Sequence, residues 1–197
     1  MESSYKIKNI CVFCSSSNHL DNKYFKLAEN LGQLIARNNW SLVYGGTNVG
    51  LMGRLAEASQ NYGNPHITGV IPQRIFDKGI ANDACDELII TSDMYERKKV
   101  MASKSDAFVA MPGGFGTLEE ILEVLTLKQL QYLSGPVVFL NVEGFYCHLE
   151  KMFATLFQKG FSNQKYRSLY YMAPDLESME KYLIDYNLPS LTDKWSD

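Results

Sequence analysis

Apolar runs of four to six residues alternate with segments of helical period along almost the whole chain, and that alternation restricts the fold more than any other feature. Residues 9–14, 41–44, 67–71, 87–91, 107–111 and 136–140 are short and nearly continuous in apolar character, with a weaker run at 168–172. Between them, residues 24–37 place Phe25, Ala28, Leu31, Leu34 and Ile35 at helical spacing. Segments 51–61, 94–105, 117–131, 145–157 and 176–186 read as further helices. A strand that is apolar on both faces must be covered on both faces, and a helix between successive strands lets them run parallel. The sequence therefore predicts an α/β chain with a doubly wound, Rossmann-like parallel sheet and helices on both faces. No repeat, low-complexity tract or linker interrupts the pattern, so residues 1–197 read as one domain with a core at about 7–185.

With 197 residues, 46% of them apolar, a chain of this size buries roughly 70% of its unfolded surface and folds without metal or disulfide. Cys11, Cys14, Cys85 and Cys147 are scattered. The Cys-x-x-Cys of the first two lies inside a strand-like run and reads as buried thiols rather than a zinc or redox site. A net charge of -3 lacks the positive excess that drives nucleic-acid binding. No apolar run approaches the roughly 18 residues of a membrane span, and the N-terminus runs straight into the first strand without a long apolar leader. The expectation is a cytoplasmic protein with no membrane partner. His19, His66 and His148 lack ligand spacing, so no metal is expected.

In doubly wound sheets ligands bind beyond the carboxyl ends of the strands. Three loops there stand out: Ser15-Ser16-Ser17; Gly45-Gly46-Thr47-Asn48-Val49-Gly50-Leu51-Met52-Gly53; and Pro112-Gly113-Gly114-Phe115-Gly116-Thr117. Each opens a helix, whose free N–H groups and positive dipole end favour an anion, and glycine lets a ligand approach the backbone. A phosphorylated ligand fits, with Ser15, Gly45, Gly46, Gly113, Gly114, Gly116 and Thr117 as candidates. Gly45 and Gly50 have P-loop spacing, but Leu51-Met52 stands where Lys and Ser/Thr should be. The dinucleotide glycine turn should follow the first strand, where only serines occur. Thr117 and Glu120 form a Thr-x-x-Glu capping box, which alone accounts for both, yet a carboxylate one turn from a phosphate-binding helix end could also stabilise a cationic sugar. Glu119 lies on another face and supports rather than acts. Arg97, within Tyr95-Glu96-Arg97-Lys98-Lys99, reads either as a solvated charge cluster or as a guanidinium at the sheet's carboxyl edge.

Phe13-Cys14-Ser15-Ser16, Val43-Tyr44-Gly45-Gly46 with Gly50-Leu51-Met52-Gly53, Gly69-Val70-Ile71-Pro72, Met94-x-x-Arg97-Lys98, the run from Ala110 through Pro112-Gly113-Gly114-Phe115-Gly116-Thr117 to Glu119-Glu120, and Leu140-Asn141-Val142-x-Gly144-Phe145-Tyr146 together resemble the Lonely Guy (LOG) family of cytokinin riboside 5′-monophosphate phosphoribohydrolases. The resemblance spans about residues 7–185. It implies a homodimer that hydrolyses the N-glycosidic bond of a purine nucleoside 5′-monophosphate to free base and ribose 5-phosphate, with no cofactor or metal. By motif position, Gly113, Gly114, Gly116 and Thr117 would hold the phosphate, Arg97 and Glu120 would be the catalytic pair, and Lys98, Glu119 and Thr126 would line the site. The chain departs from many relatives at Thr47, at Tyr95, at Leu127-Lys128 and near Gly79, where a substrate-contacting Glu is missing. These departures bear on the preferred base, either adenine or an N6-prenylated adenine. A carrier of a nucleotide-like cofactor, akin to molybdenum-cofactor carriers, is the alternative. The decarboxylase label such relatives often bear would need a lysine for pyridoxal phosphate, and nothing in the sequence marks one. The aromatic segment 166–172 is a further candidate for an interface.

Overall fold

The strands zip into one parallel sheet because every segment between them is long enough to cross back over a face. In a computed structural model, which describes residues 5–63 and 65–189, the elements in chain order are β1 (Asn9–Phe13), α1 (Asn22–Arg37), β2 (Ser41–Tyr44), α2 (Gly50–Gly63), β3 (Ile67–Pro72), α3 (Gln73–Phe76), β4 (Glu87–Thr91), α4 (Met94–Ser103), β5 (Ala107–Ala110), α5 (Phe115–Gln129), β6 (Val137–Leu140), α6 (Cys147–Gln158), β7 (Tyr171–Ala173) and α7 (Leu176–Ile184). The four N-terminal residues, read above as leading straight into β1, lie outside the described residues.

The sheet has seven strands in the order β4-β3-β2-β1-β5-β6-β7, and each adjacent pair is parallel. β1 is the pivot. The chain builds outward from it through β2, β3 and β4, then crosses back to lay β5 on its other side, with Ile10 in register with Leu42 on one flank and Ala107 on the other. Such a reversal opens a crevice at the carboxyl ends of the central strands. The side chains sort into two cores: α1, α2 and α7 cover one face through Leu31, Ile35, Leu55 and Met179, while α4, α5 and α6 cover the other through Met101, Ile121, Val124 and Phe153.

Three expectations need correction. α5 begins at Phe115 with Gly114 as its N-cap, so Thr117 stands inside the first turn and makes no capping box with Glu120. Of the weak run at 168–172, only its last part joins β7, because residues Gln164–Leu169 coil into a 3₁₀ turn. Within that turn Tyr166 and Leu169 are buried in the second core, so the segment offers less free aromatic surface than its composition implies. Cys11 and Cys14 are buried free thiols, as read from the sequence.

Candidate active site

The crevice is filled by an arginine from α4 and a glutamate from α5. Arg97 Nη1 donates to Glu120 Oε1, and Arg97 Nε donates to the Val70 carbonyl of β3 at 3.0 Å. Arg97 and Glu120 are 8% and 7% exposed, so the pair is shielded from water and its attraction is strong. Burial pushes the Glu120 carboxyl above its ordinary 4.5, and the adjacent guanidinium holds it back. The solvated-cluster reading of Arg97 fails because the arginine shares the inward register of Met101, four residues on. Its neighbours Tyr95, Glu96 and Lys99 do face solvent.

The β2 loop makes room for this guanidinium. A Cβ on Gly45 would stand 2.5 Å from Arg97 Nη2 and 2.6 Å from Met52 Sδ. Gly46 has φ +71° and lies against the backbone of Gly69 and Val70, while Gly50 has φ +61° and lies against that of Ser15 and Ser16. Ser15 is held in place locally: its Oγ accepts from the Ser17 N–H and its carbonyl accepts from Leu51. The structure thus shows packing contacts at Gly45, Gly46 and Ser15, in addition to the ligand contact that the sequence suggested.

The β5 loop differs. A Cβ on Gly113 would run into the buried side chain of Thr117, but a Cβ on Gly114 or Gly116 would meet nothing within 4 Å, and both residues are exposed. Gly114 has no side chain with which to cap the helix. The N–H groups of the first turn are therefore left without a side-chain cap, on the helix that carries Glu120.

On the outer side Lys98 Nζ pairs with both Glu119 and Glu123. Burial lowers the affinity of Lys98 for its proton, yet the two carboxylates outweigh burial and hold its pKa above 10.5. Thr126 is exposed, donates to its own helix at Leu122 O, and is not brought to the pair. Of the departing positions, Thr47 is buried and bridges Ala81, while Tyr95 is 80% exposed with Lys98 Nζ 5.3 Å from its ring centroid. Gly79, at φ +69°, follows α3 in the segment that folds against the β2 loop through Asn48 N–H to Ile80 O.

Sequence reasoning missed the groove between α4 and α5, a 520 Å3 space whose lining joins Phe13, Ala102, Val124, Leu127, Tyr132 and Leu133 to the charged Lys98, Lys99, Glu120 and Glu123. The signal was present in the inward stripe of α5, where Glu120 and Lys128 occupy register positions otherwise held by Thr117, Ile121 and Val124. Among the described residues no three His, Cys, Asp or Glu side chains gather as metal ligands, and no helix is long and apolar enough to cross a membrane.

The profile of a family described as "possible lysine decarboxylase" matches residues 52–183. The chain is 42% identical over 186 residues to the cytokinin riboside 5′-monophosphate phosphoribohydrolase LOG1 of Arabidopsis thaliana, covering 94% of this chain and 87% of that one. The chain belongs to the LOG family. Another LOG relative, the probable phosphoribohydrolase LOGL9 of Oryza sativa subsp. japonica, is 40% identical over 181 residues, covering 92% of this chain and 79% of its own. Among solved structures, the molybdenum cofactor carrier protein of Chlamydomonas reinhardtii matches with TM-score 0.69 and 25% identity over 89% of this chain and 95% of its own. The molybdenum cofactor binding protein of Rippkaea orientalis, at TM-score 0.66 and 23% identity over 90% of this chain and 96% of its own, shares the fold. The LOG fold thus carries both hydrolases and carriers, and the side chains at the crevice must distinguish them.

Proposed function

We propose that the chain hydrolyses the N-glycosidic bond of a purine nucleoside 5′-monophosphate, either AMP or an N6-substituted AMP, releasing free base and ribose 5-phosphate. The observation that carries this reading is the buried Arg97–Glu120 pair beside the uncrowded glycines of the β5 loop. Glycosidic cleavage develops positive charge on the sugar, and an ionised carboxylate held in a dry crevice stabilises that charge and orients water. In this reading the first-turn N–H groups at Gly114, Phe115, Gly116 and Thr117 hold the 5′-phosphate. Binding energy from that remote group fixes the anomeric carbon against Glu120. Arg97 is anchored on Val70 O, keeps Glu120 ionised despite burial and fixes its rotamer. Lys98 and Glu119 stiffen the rim, and Gly45 provides the space in which Arg97 lies.

The family's decarboxylase description fits these residues poorly, since the fully buried lysine of α5, Lys128, lies roughly 18 Å along the helix axis from Gly116. For the homodimer, the apolar groove between α4 and α5 is the face that a second copy would cover, with Tyr132 76% exposed at its rim. Sedimentation should give twice the chain mass, and Ala102→Asp should return it to one.

The test of the activity is chromatographic detection of free base after incubation with AMP or N6-isopentenyl-AMP. Base released by the wild type and not by Glu120→Gln supports the reading, and the ratio of the two rates identifies the base. Tight nucleotide retention with no base from either would favour a carrier.

A further inference from the structure

Among the described residues, Lys128 Nζ is the one buried side-chain nitrogen or oxygen without a hydrogen-bond partner. The residue is 1% exposed and projects from the inward stripe of α5. Other cations at or near the core are matched: Arg97 by Glu120 and Val70 O, Lys98 by Glu119 and Glu123, Lys104 by Glu87. Among the described residues Lys128 has only the ring of Tyr186, whose centroid lies 5.1 Å from Nζ. The Tyr186 hydroxyl already donates to Ser134 O, Tyr5 packs edge-on against the same ring, and the Asp106 carboxylate accepts from the backbone N–H groups of Lys8 and Asn9. An ammonium so placed lacks a counter-charge among the described residues, and burial draws its pKa down to about 8.

Beside it lies a cavity of 260 Å3 lined by Lys128, Gln131, Leu133, Ser134, Leu188 and Pro189. Among the described residues its lining contains one cation, two hydrogen-bonding side chains, three apolar ones and no acid. Gln131 is also held at φ 62°, a conformation that L side chains rarely adopt. We propose that this cavity is a second ligand site for a small organic monocarboxylate, in which Lys128 supplies the counter-charge, Gln131 and Ser134 supply hydrogen bonds, and Leu133, Leu188 and Pro189 enclose a short alkyl chain. One cation balances one negative charge. A dianion such as inorganic phosphate would leave excess charge against an apolar wall. The site is at the far end of α5 from the glycine loop, so its ligand and a nucleotide do not overlap, and its existence does not depend on the hydrolase reading.

The test is an NMR titration of the full chain labelled at lysine Cε, with the Lys128 resonance assigned by its loss in Lys128→Met. Without ligand the resonance should titrate near 8, and butyrate should raise that value by about one unit or more, as an opposite charge at contact does. Acetate should act more weakly and inorganic phosphate not at all. Lys128→Met should keep the wild-type circular dichroism spectrum and lose the calorimetric signal for butyrate. Leu188→Asp, which puts a carboxylate on the cavity wall, should raise the Lys128 value without ligand and block butyrate. A Lys128 that titrates in the ordinary lysine range with no ligand added, or that butyrate leaves unmoved, overturns the proposal. Phosphate acting as strongly as butyrate overturns the monocarboxylate assignment.

Discussion

Two glycine-rich loops lie at the same edge of the sheet, and they use glycine for opposite reasons. In the loop after β2 the glycines are crowded by protein: Gly45 by Arg97 and Met52, Gly46 by the backbone of Gly69 and Val70, Gly50 by Ser15 and Ser16, Gly53 by Asn48. In the loop after β5, Gly114 and Gly116 are crowded by nothing. A crowded glycine is accounted for by the fold. A glycine that nothing crowds and that sits beside free N–H groups at a helix start leaves room for a ligand to approach, the use that the proposed function gives it. Sequence alone makes the two loops look alike, since composition records a missing Cβ and not what occupies its place.

The comparison can be broken by experiment. The largest effect should come from Glu120→Gln, which keeps the shape of the pair but removes its charge; kcat for base release should fall roughly 10²- to 10⁴-fold with nucleotide affinity little changed. Full turnover in that variant would remove Glu120 from the mechanism. Next, Gly45→Ala should act as an active-site mutation although it sits in the scaffold loop: displaced by about 1 Å, Arg97 should cost roughly 10²-fold in kcat, with a lower melting temperature. Gly116→Ala in the other loop should leave the melting temperature unchanged and raise KM about tenfold, the loss of roughly 1.4 kcal/mol of phosphate binding. If Gly116→Ala instead unfolds the protein while Gly45→Ala is silent, the assignment of the two loops is reversed.

A pH profile sharpens the same contrast. In the proposed mechanism Glu120 acts ionised, and burial raises its pKa, so the acid limb of kcat/KM should lie above pH 4.5 and activity should fall as pH drops through it. Arg97 opposes that rise, so any residual activity of Arg97→Met should have its acid limb at higher pH. The same variant should lose stability above the Glu120 pKa, where an unpaired charge is buried, and regain it below, where the carboxyl is neutral. An acid limb that Arg97→Met leaves in place would mean another group controls it. The smallest effect should be that of Thr126→Ala, whose hydroxyl bonds only its own helix; its kcat/KM should stay within about twofold of wild type.

Strand positions were legible because a sheet covered on both faces demands uninterrupted apolar runs, and β3, buried at all six residues, satisfies that demand most fully. Glu120 and the β5 glycines were legible as a motif. Arg97 was obscured by the charged residues on either side, which set the local composition but not the register of the side chain. The capping box failed because Thr-x-x-Glu also occurs one turn into a helix, where spacing alone does not locate the first N–H. The packing of Gly45 against Arg97 was not legible, since that partner is 52 residues away in sequence. Lys128 shared the inward stripe of α5 in sequence, but nothing local showed that its ammonium would be covered, because its solvent exposure is set by Tyr186 and the segment after α7.

The chain's reversal at β1 has a consequence for assembly. Arg97 rides on the last helix of the first half, over β3 and β4, and Glu120 on the first helix of the second half, behind β5. Each half can order its own strands and still hold only one member of the pair. A chain cut near Asp106 should therefore yield two inert fragments that regain turnover when mixed, so that the onset of activity during refolding marks the docking of the two halves.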